Sequence, residues 1–227
     1  MLCDFDGTIS KSDVTDSLLL RFGRDGWQAL ERQWLDREVS SRDCMAGQIA
    51  LLDCSREELD AHVAGMAIDE DFACFVDAVR GHGSALTILS DGLDHVIDAM
   101  LARAGIGDVP VVASRLVQTG PRRWALQFPH ARGDCTSASA TCKCAWARDG
   151  APRPVLLVGD GLSDVCVAAE ATEIFARDRL LGFCIDSGLR HRAVANFAEA
   201  LGAWRELTRN ERAPDKPHHS QEIHART

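Results

Sequence analysis

The spacing of apolar residues changes several times along the chain. It begins with a short apolar run, Met1-Leu2-Cys3, followed at once by Asp4-Phe5-Asp6-Gly7-Thr8. The run reads as a buried strand and Gly7-Thr8 as the loop that ends it. Only three residues precede the first aspartate, fewer than the about five to six of a usual strand, so a short strand or a start lying upstream is expected. From residue 12 to about 66 the spacing is helical. Val14, Leu18, Leu19 and Phe22 follow Ser12 or Asp13 as cap. Trp27, Leu30 and Trp34 mark a second helix, and Ser40-Ser41-Arg42-Asp43 opens a third with Met45, Ile49 and Leu52. Ser55 and Glu58 form a capping-box start for a fourth.

From about residue 70 helices and strands alternate. A helix over 71–80 stops at Gly81 and Gly83. The apolar strand 85–89 ends at Ser90-Asp91-Gly92, and a helix then runs to about Ala104. Strands follow at 109–116 and 124–128, the second in a hairpin, and then a loop of small residues over 129–141. A continuous apolar strand, 155–158, ends at Gly159-Asp160-Gly161. A helix at 165–171, a short strand at 174–176 and a last helix at 196–207 complete the pattern, and the polar stretch beyond Arg209 is expected to fray. This alternation predicts an α/β fold with a parallel sheet covered on both faces. The expected organisation is a core of residues 1–11 and 67–208, a helical insertion over 12–66, and a tail over 209–227.

Composition narrows the classes. An apolar fraction of 46% is that of a globular protein, and a net charge of -9 argues against a nucleic-acid partner. Met1 leads straight into a core strand without a charged leader, and no apolar stretch approaches the ~18 residues of a membrane span. Nine scattered cysteines suit a reducing, cytoplasmic setting. No membrane partner is expected, and a homodimer is an open possibility.

Three predicted strands end in polar signatures: Asp4 and Asp6, then Ser90, then Asp160 and Asp164. Open α/β sheets bind ligands at the carboxyl ends of their strands. Asp4 and Asp6 are alternate residues of an extended chain and can face one site. Two carboxylates so close need a cation or a shared proton, and magnesium bound by carboxylate oxygen supplies the cation. The pair suits phosphoryl transfer, one carboxylate as nucleophile and the other as acid and base.

Asp4-Phe5-Asp6-Gly7-Thr8, Ser90 after the second core strand, and Gly159-Asp160 through Asp164, in that order, resemble the haloacid dehalogenase-like phosphatase superfamily. Lys143, 17 residues before Asp160, stands in the place of that family's lysine, with Arg148 and Arg153 as weaker alternatives. The resemblance implies a Rossmann-like core with an inserted helical cap of the C1 type, and a small phosphorylated metabolite as partner. It also implies Asp4 as nucleophile, Asp6 as acid and base, and Ser90 and Lys143 on the phosphoryl oxygens. Magnesium would be held by Asp4, the Asp6 carbonyl and Asp160, with Asp164 behind. Thr8, Asp91, Gly92 and the loop amides would assist in binding substrate. An insertion directly after the first motif points to the phosphoserine phosphatase-like branch, where Asp13 takes the place of a substrate-contacting acid or serves as a plain helix cap.

Phe128-Pro129-His130, then Cys135, Cys142, Lys143 and Cys144, and the run Phe175-Ala176-Arg177-Asp178-x-Leu180-Leu181 resemble the phosphatases of 2-hydroxy-3-keto-5-methylthiopentenyl 1-phosphate in methionine salvage. Ser90-Asp91-Gly92 departs from the Ser-Gly-Gly common there. Other phosphomonoesters such as phosphoserine or phosphocholine, transfer to an acceptor alcohol, and an inactive phosphate-binding module stay open. His130, Cys135, Cys142 and Cys144 are zinc-ligand types, but their spacing fits no standard zinc module. His218, His219 and His224 read as part of a solvated tail. Trp27 and Trp34 read as insertion core, although one could face the substrate.

Overall fold

In the computed structural model, which describes residues 1–135 and 137–211, each apolar strand divides its side chains between two cores. Cys3, Ile88, Val158 and Phe175 face one side of the sheet, and Leu2, Leu89, Leu157 and Ile174 face the other. The period-2 alternation of extended chain produces this division. The strands are β1 (Leu2–Cys3), β2 (Thr87–Leu93), β3 (Val111–Gly120), β4 (Arg123–Gln127), β5 (Leu156–Gly159), β6 (Glu173–Ala176) and β7 (His191–Ala193). They form one sheet in the order β4-β3-β2-β1-β5-β6-β7, parallel throughout except for the antiparallel β3–β4 hairpin.

Helices cover both faces. The first core takes in α5 (Phe72–Gly81), α6 (Asp94–Arg103) and α10 (Phe197–Glu211). The second takes in α7 (Lys143–Asp149), α8 (Val165–Ala168) and α9 (Asp178–Asp186).

Between β1 and β2 lie α1 (Val14–Phe22), α2 (Trp27–Leu35), α3 (Ser41–Ala50) and α4 (Arg56–Ala64). Asp13 caps α1, accepting from the Asp16 N–H, and Ser40 caps α3. The Ser55–Glu58 pair forms a reciprocal capping box on α4. The connections into and out of this helical group run side by side. The Lys11 N–H donates to the Ala67 carbonyl at 3.1 Å, the Asp69 N–H donates to the Ile9 carbonyl at 2.8 Å, and Ser10 bridges Ile68. Leu18, Leu19, Ile49, Leu52, Leu59 and Val63 are buried in the same apolar cluster as one face of the sheet. The β3–β4 hairpin also grips the group: Trp124 Nε1 donates to the Cys54 carbonyl at 2.9 Å, and Arg122 pairs with Asp53 and Glu58.

Three expectations need correction. The strand over 85–89 does not stop at Ser90 but continues to Leu93, since Leu93 still pairs with Ser114. The helix over 165–171 is a 3-10 turn (Leu162–Asp164) followed by the single turn of α8. The pattern also missed α9 and β7. Gly182 interrupts the apolar spacing of α9, and β7, His191-Arg192-Ala193, is an edge strand without a buried alternation. The tail histidines lie outside the described residues.

Candidate active site

The Asp4 N–H donates to the Val158 carbonyl at 2.9 Å, so the ladder of β1 on β5 extends one residue and delivers Asp4 to the carboxyl end of the sheet. The chain then turns tightly. The Phe5 carbonyl accepts from the N–H groups of Thr8, Ile9 and Ser10 while the Phe5 ring is buried. Gly7 makes the turn at φ +68°, where a Cβ would stand 2.7 Å from Asp160 Oδ2. Asp6 points back under α1, its Oδ1 accepting from the Val14 N–H at 2.9 Å.

The second contribution comes from an irregularity in β2. Leu89 pairs with Val112 and Leu93 with Ser114, so four steps along β2 match two along β3. The resulting bulge re-aims Ser90, Asp91 and Gly92. Ser90 is buried, and its Oγ accepts from the Gly92 N–H at 2.9 Å; its own proton has no acceptor among the described residues. Asp91 is a tie rather than an open group: Oδ1 accepts from the Thr141 N–H at 2.7 Å and Oδ2 from the Ser41 hydroxyl of α3 at 3.4 Å. A Cβ on Gly92 would lie 2.3 Å from Asp6 Oδ2. Gly92→Ala is therefore expected to displace Asp6 and lower turnover by about 10²-fold with the fold retained, read as phosphate release beside circular dichroism. Unchanged kinetics would contradict this packing role.

Lys143, the first residue of α7, is buried to 1% exposure, and its Nζ bridges Asp4 Oδ1 at 2.8 Å and Asp164 Oδ1 at 2.7 Å. Ser163 Oγ lies a further 3.2 Å from the same nitrogen. Neither Arg148 nor Arg153 reaches this cluster; both pair with Glu170. The second oxygen of Asp164 accepts from the Gly161 N–H. Thr8 donates its hydroxyl to Asp160 Oδ1 at 2.6 Å and its N–H to Phe5. The expected substrate donor at Thr8 is thus committed to orienting Asp160.

Carboxylates outnumber cations here. Burial, and next the charge of Asp164, push Asp4 well above the usual carboxylate range against the pull of Lys143. Burial of Lys143 favours the neutral amine, but Asp164, Asp4 and Asp91 outweigh it and hold the ammonium charged. Burial also raises Asp160. Burial, and then the charge of Asp13, push Asp6 up to about 8, so its carboxyl holds a proton at neutral pH. The donor atoms of Asp4, Asp160 and Asp164 lie within 4.8 Å of one another. Three carboxylates against one ammonium, offering only oxygen, fit a hard divalent cation. Among the described residues this is the one group of three metal-ligating side chains so gathered, so the zinc reading of His130, Cys135, Cys142 and Cys144 finds no such group, and His130 is exposed.

These groups open into a cavity of about 480 Å³. The core supplies its floor, with Asp4, Asp6, Ser90 and Asp160, while Asp13 stands exposed on the wall and caps α1. Of the roof, the sequence pattern points only to Trp34, as one option. The roof consists of Glu31 and Trp34 from α2 and Ser41, Cys44, Met45 and Gln48 from α3. Gln48 Nε2 donates to Glu31 Oε2 at 2.9 Å. The signal was present: 41, 44, 45 and 48 are spaced as one helical face, but its mixed polarity did not show what it faces. Asp178 and Arg179 from the start of α9 complete the rim.

A family model described as haloacid dehalogenase-like hydrolase matches residues 1–169. The 2-hydroxy-3-keto-5-methylthiopentenyl-1-phosphate phosphatase of Bacillus velezensis is 30% identical over 204 residues, 88% of this chain and 86% of its own. The protein of the same name from Brevibacillus brevis is 29% identical over 206 residues, 88% of this chain and 92% of its own. Among solved structures, a phospho-aspartyl intermediate analogue of phosphoserine phosphatase matches with a TM-score of 0.68 at 15% identity, over 89% of this chain and 96% of that one.

Proposed function

Because this chain belongs to the haloacid dehalogenase-like hydrolases and is a phosphatase among them, we propose that it hydrolyses a small phosphomonoester through a phosphorylated Asp4. Asp4 attacks phosphorus in line as the ester oxygen leaves, and Asp6 gives that oxygen its proton. The Asp6 carboxylate then takes a proton from the water that attacks the aspartyl phosphate, and inorganic phosphate departs. Lys143 holds Asp4 in place and offers positive charge to the phosphoryl oxygens, and Ser90 donates its free proton to them. A magnesium ion held by Asp4, the Asp6 carbonyl and Asp160 would neutralise charge on the transferring group. Asp164 supports this arrangement through Lys143. The helical insertion acts as a cap that keeps bulk water from the phosphoenzyme. The observation that carries this reading is the Lys143 ammonium locked between Asp4 and Asp164 at the strand ends.

For the substrate, the names of the relatives at 30% and 29% identity support 2-hydroxy-3-keto-5-methylthiopentenyl 1-phosphate. The roof suits it. Trp34, Cys44 and Met45 offer a soft apolar face to a methylthio group, and the Glu31–Gln48 pair offers hydrogen bonds to the hydroxyl and keto oxygens. A second reading rests on the acidic wall: Asp13, Asp16 and Glu31 line the cavity, with Arg179 as its one cationic lining residue among those described. That balance favours an ester with a cationic far end, such as phosphocholine. The nine free thiols suit work in the reducing cytoplasm, and no helix among the described residues is long and apolar enough to cross a membrane.

Phosphate release over a panel containing both esters and phosphoserine tests the reading. The thioether ester is expected to give the highest kcat/KM, with activity abolished by a chelator and restored by magnesium. Preference for phosphocholine would move the assignment to the second reading. Release untouched by the chelator would remove magnesium from the mechanism.

A further inference from the structure

Lys143 stands between two cysteines whose chemistry the reaction does not use. Cys142 is the residue that opens α7, Cys144 is the second residue of its first turn, and their Sγ atoms are 3.7 Å apart. A third thiol, Cys135, packs from the preceding loop against the apolar cluster that holds Cys142 and Cys144. Cys135 is half-buried where the other two are buried, and its Sγ lies 3.3 Å from the Ser139 hydroxyl. Burial alone would raise this thiol, but hydrogen bonds from Ser139 outweigh it and hold Cys135 below the usual cysteine value. The set therefore has an accessible thiol, a buried partner beside it, and a further thiol against that partner, all on the segment that carries the catalytic ammonium.

We propose that Cys135, Cys142 and Cys144 form an oxidation site for hydroperoxides, and that a disulfide through Cys142 draws Lys143 away from Asp4 and reversibly shuts down phosphate-ester hydrolysis. The Cys135 thiolate attacks one peroxide oxygen, the O–O bond breaks, and after proton transfer one water leaves and a sulfenic acid remains. The Cys142 thiol attacks that sulfur, its proton leaves with the hydroxyl as a second water, and the S–S bond forms. Two thiols lose two electrons in total and the peroxide gains them. Exchange with the neighbouring Cys144 can then move the bond to Cys142–Cys144. A disulfide needs its sulfurs about 2.0 Å apart, well inside the present 3.7 Å. The loop and the first turn of α7 must shift to reach it, and Lys143 Nζ is held there by only two carboxylates and Ser163.

The effect on activity rests on the phosphatase reading; the disulfide does not. The reduced full chain is treated with a few equivalents of hydrogen peroxide, and the excess is removed. Three readouts follow: peptide mapping of disulfides, amide exchange over 143–149, and phosphate release from p-nitrophenyl phosphate. The expected result is a disulfide containing Cys142, faster exchange in the first turn of α7, and at least a tenfold loss of activity that dithiothreitol reverses. Cys142→Ser, which removes no side-chain cap from α7, and Cys135→Ser should both stay active after peroxide. Oxidation that leaves Cys142 free, or equal inactivation of wild type and both variants, would overturn the proposal. If the reduced chain releases no phosphate, the phosphatase reading fails, and mapping with exchange still decides the thiol chemistry.

Discussion

Asp4→Asn is expected to lower phosphate release by about 10³-fold or more, because it removes the proposed nucleophile on which the other groups act. Asp6 would retain its proton, Ser90 its donor and Lys143 its link to Asp164, but a neutral amide is a far weaker nucleophile than a carboxylate, so no phosphoenzyme should form on it. Rapid acid quenching with a phosphorylated substrate should trap labelled wild-type protein and no labelled variant. The fold should survive. Burial and Asp164 make the Asp4 charge costly where it stands, so the melting temperature should not fall. A variant that hydrolyses p-nitrophenyl phosphate near the wild-type rate would remove Asp4 from the chemistry.

Lys143→Met should damage the fold as well as the reaction. The ammonium is buried and lies within 2.8 Å of Asp4 and 2.7 Å of Asp164, and Asp164 has no exposure to water. Methionine fills a similar volume but leaves two buried carboxylates facing each other. Breaking a buried pair in this way costs about 3–5 kcal/mol, or a fall in Tm of roughly 10 °C for a chain of this size. Magnesium should recover part of the lost stability by supplying positive charge to the same carboxylates, and little of the activity, since the ammonium proposed to face the phosphoryl group is gone. Calorimetry with and without magnesium, run beside phosphate release, separates these effects. An unchanged Tm in metal-free buffer would show that the ion pair is not what holds these carboxylates together.

What could be read from the sequence follows from periodicity. Val155 to Val158 is apolar without a break, so its end at Asp160 was plain, and Asp4 sits the same way after Leu2-Cys3. The four inserted helices carried caps that the structure reproduces at Asp13, Ser40 and Ser55. Other features were hidden for physical reasons. Ser90-Asp91-Gly92 resembles a loop because a bulged strand holding polar groups in a site has lost its apolar alternation. The hydroxyl of Thr8 could serve a ligand or a neighbour, and only the fold brings Asp160 within 2.6 Å. The roof residues of α3 share a face, but whether that face meets solvent, core or cavity depends on how α3 packs. The packing of Cys135 against the cluster that holds Cys142 likewise depends on how the intervening loop folds back.

The paired connections at Ser10 and Ile68 have a consequence for descent. Since the chain leaves and re-enters the sheet at neighbouring points, the core treats the four helices as one long loop with closed ends, and loop length costs little. The cavity walls drawn from α2 and α3 can therefore be lengthened, exchanged or rewritten between those two points while the strand ends keep their geometry. The chemistry proposed for the strand ends and the selectivity proposed for the roof thus rest largely on separate stretches of this polypeptide, with Asp178 and Arg179 of α9 staying with the core.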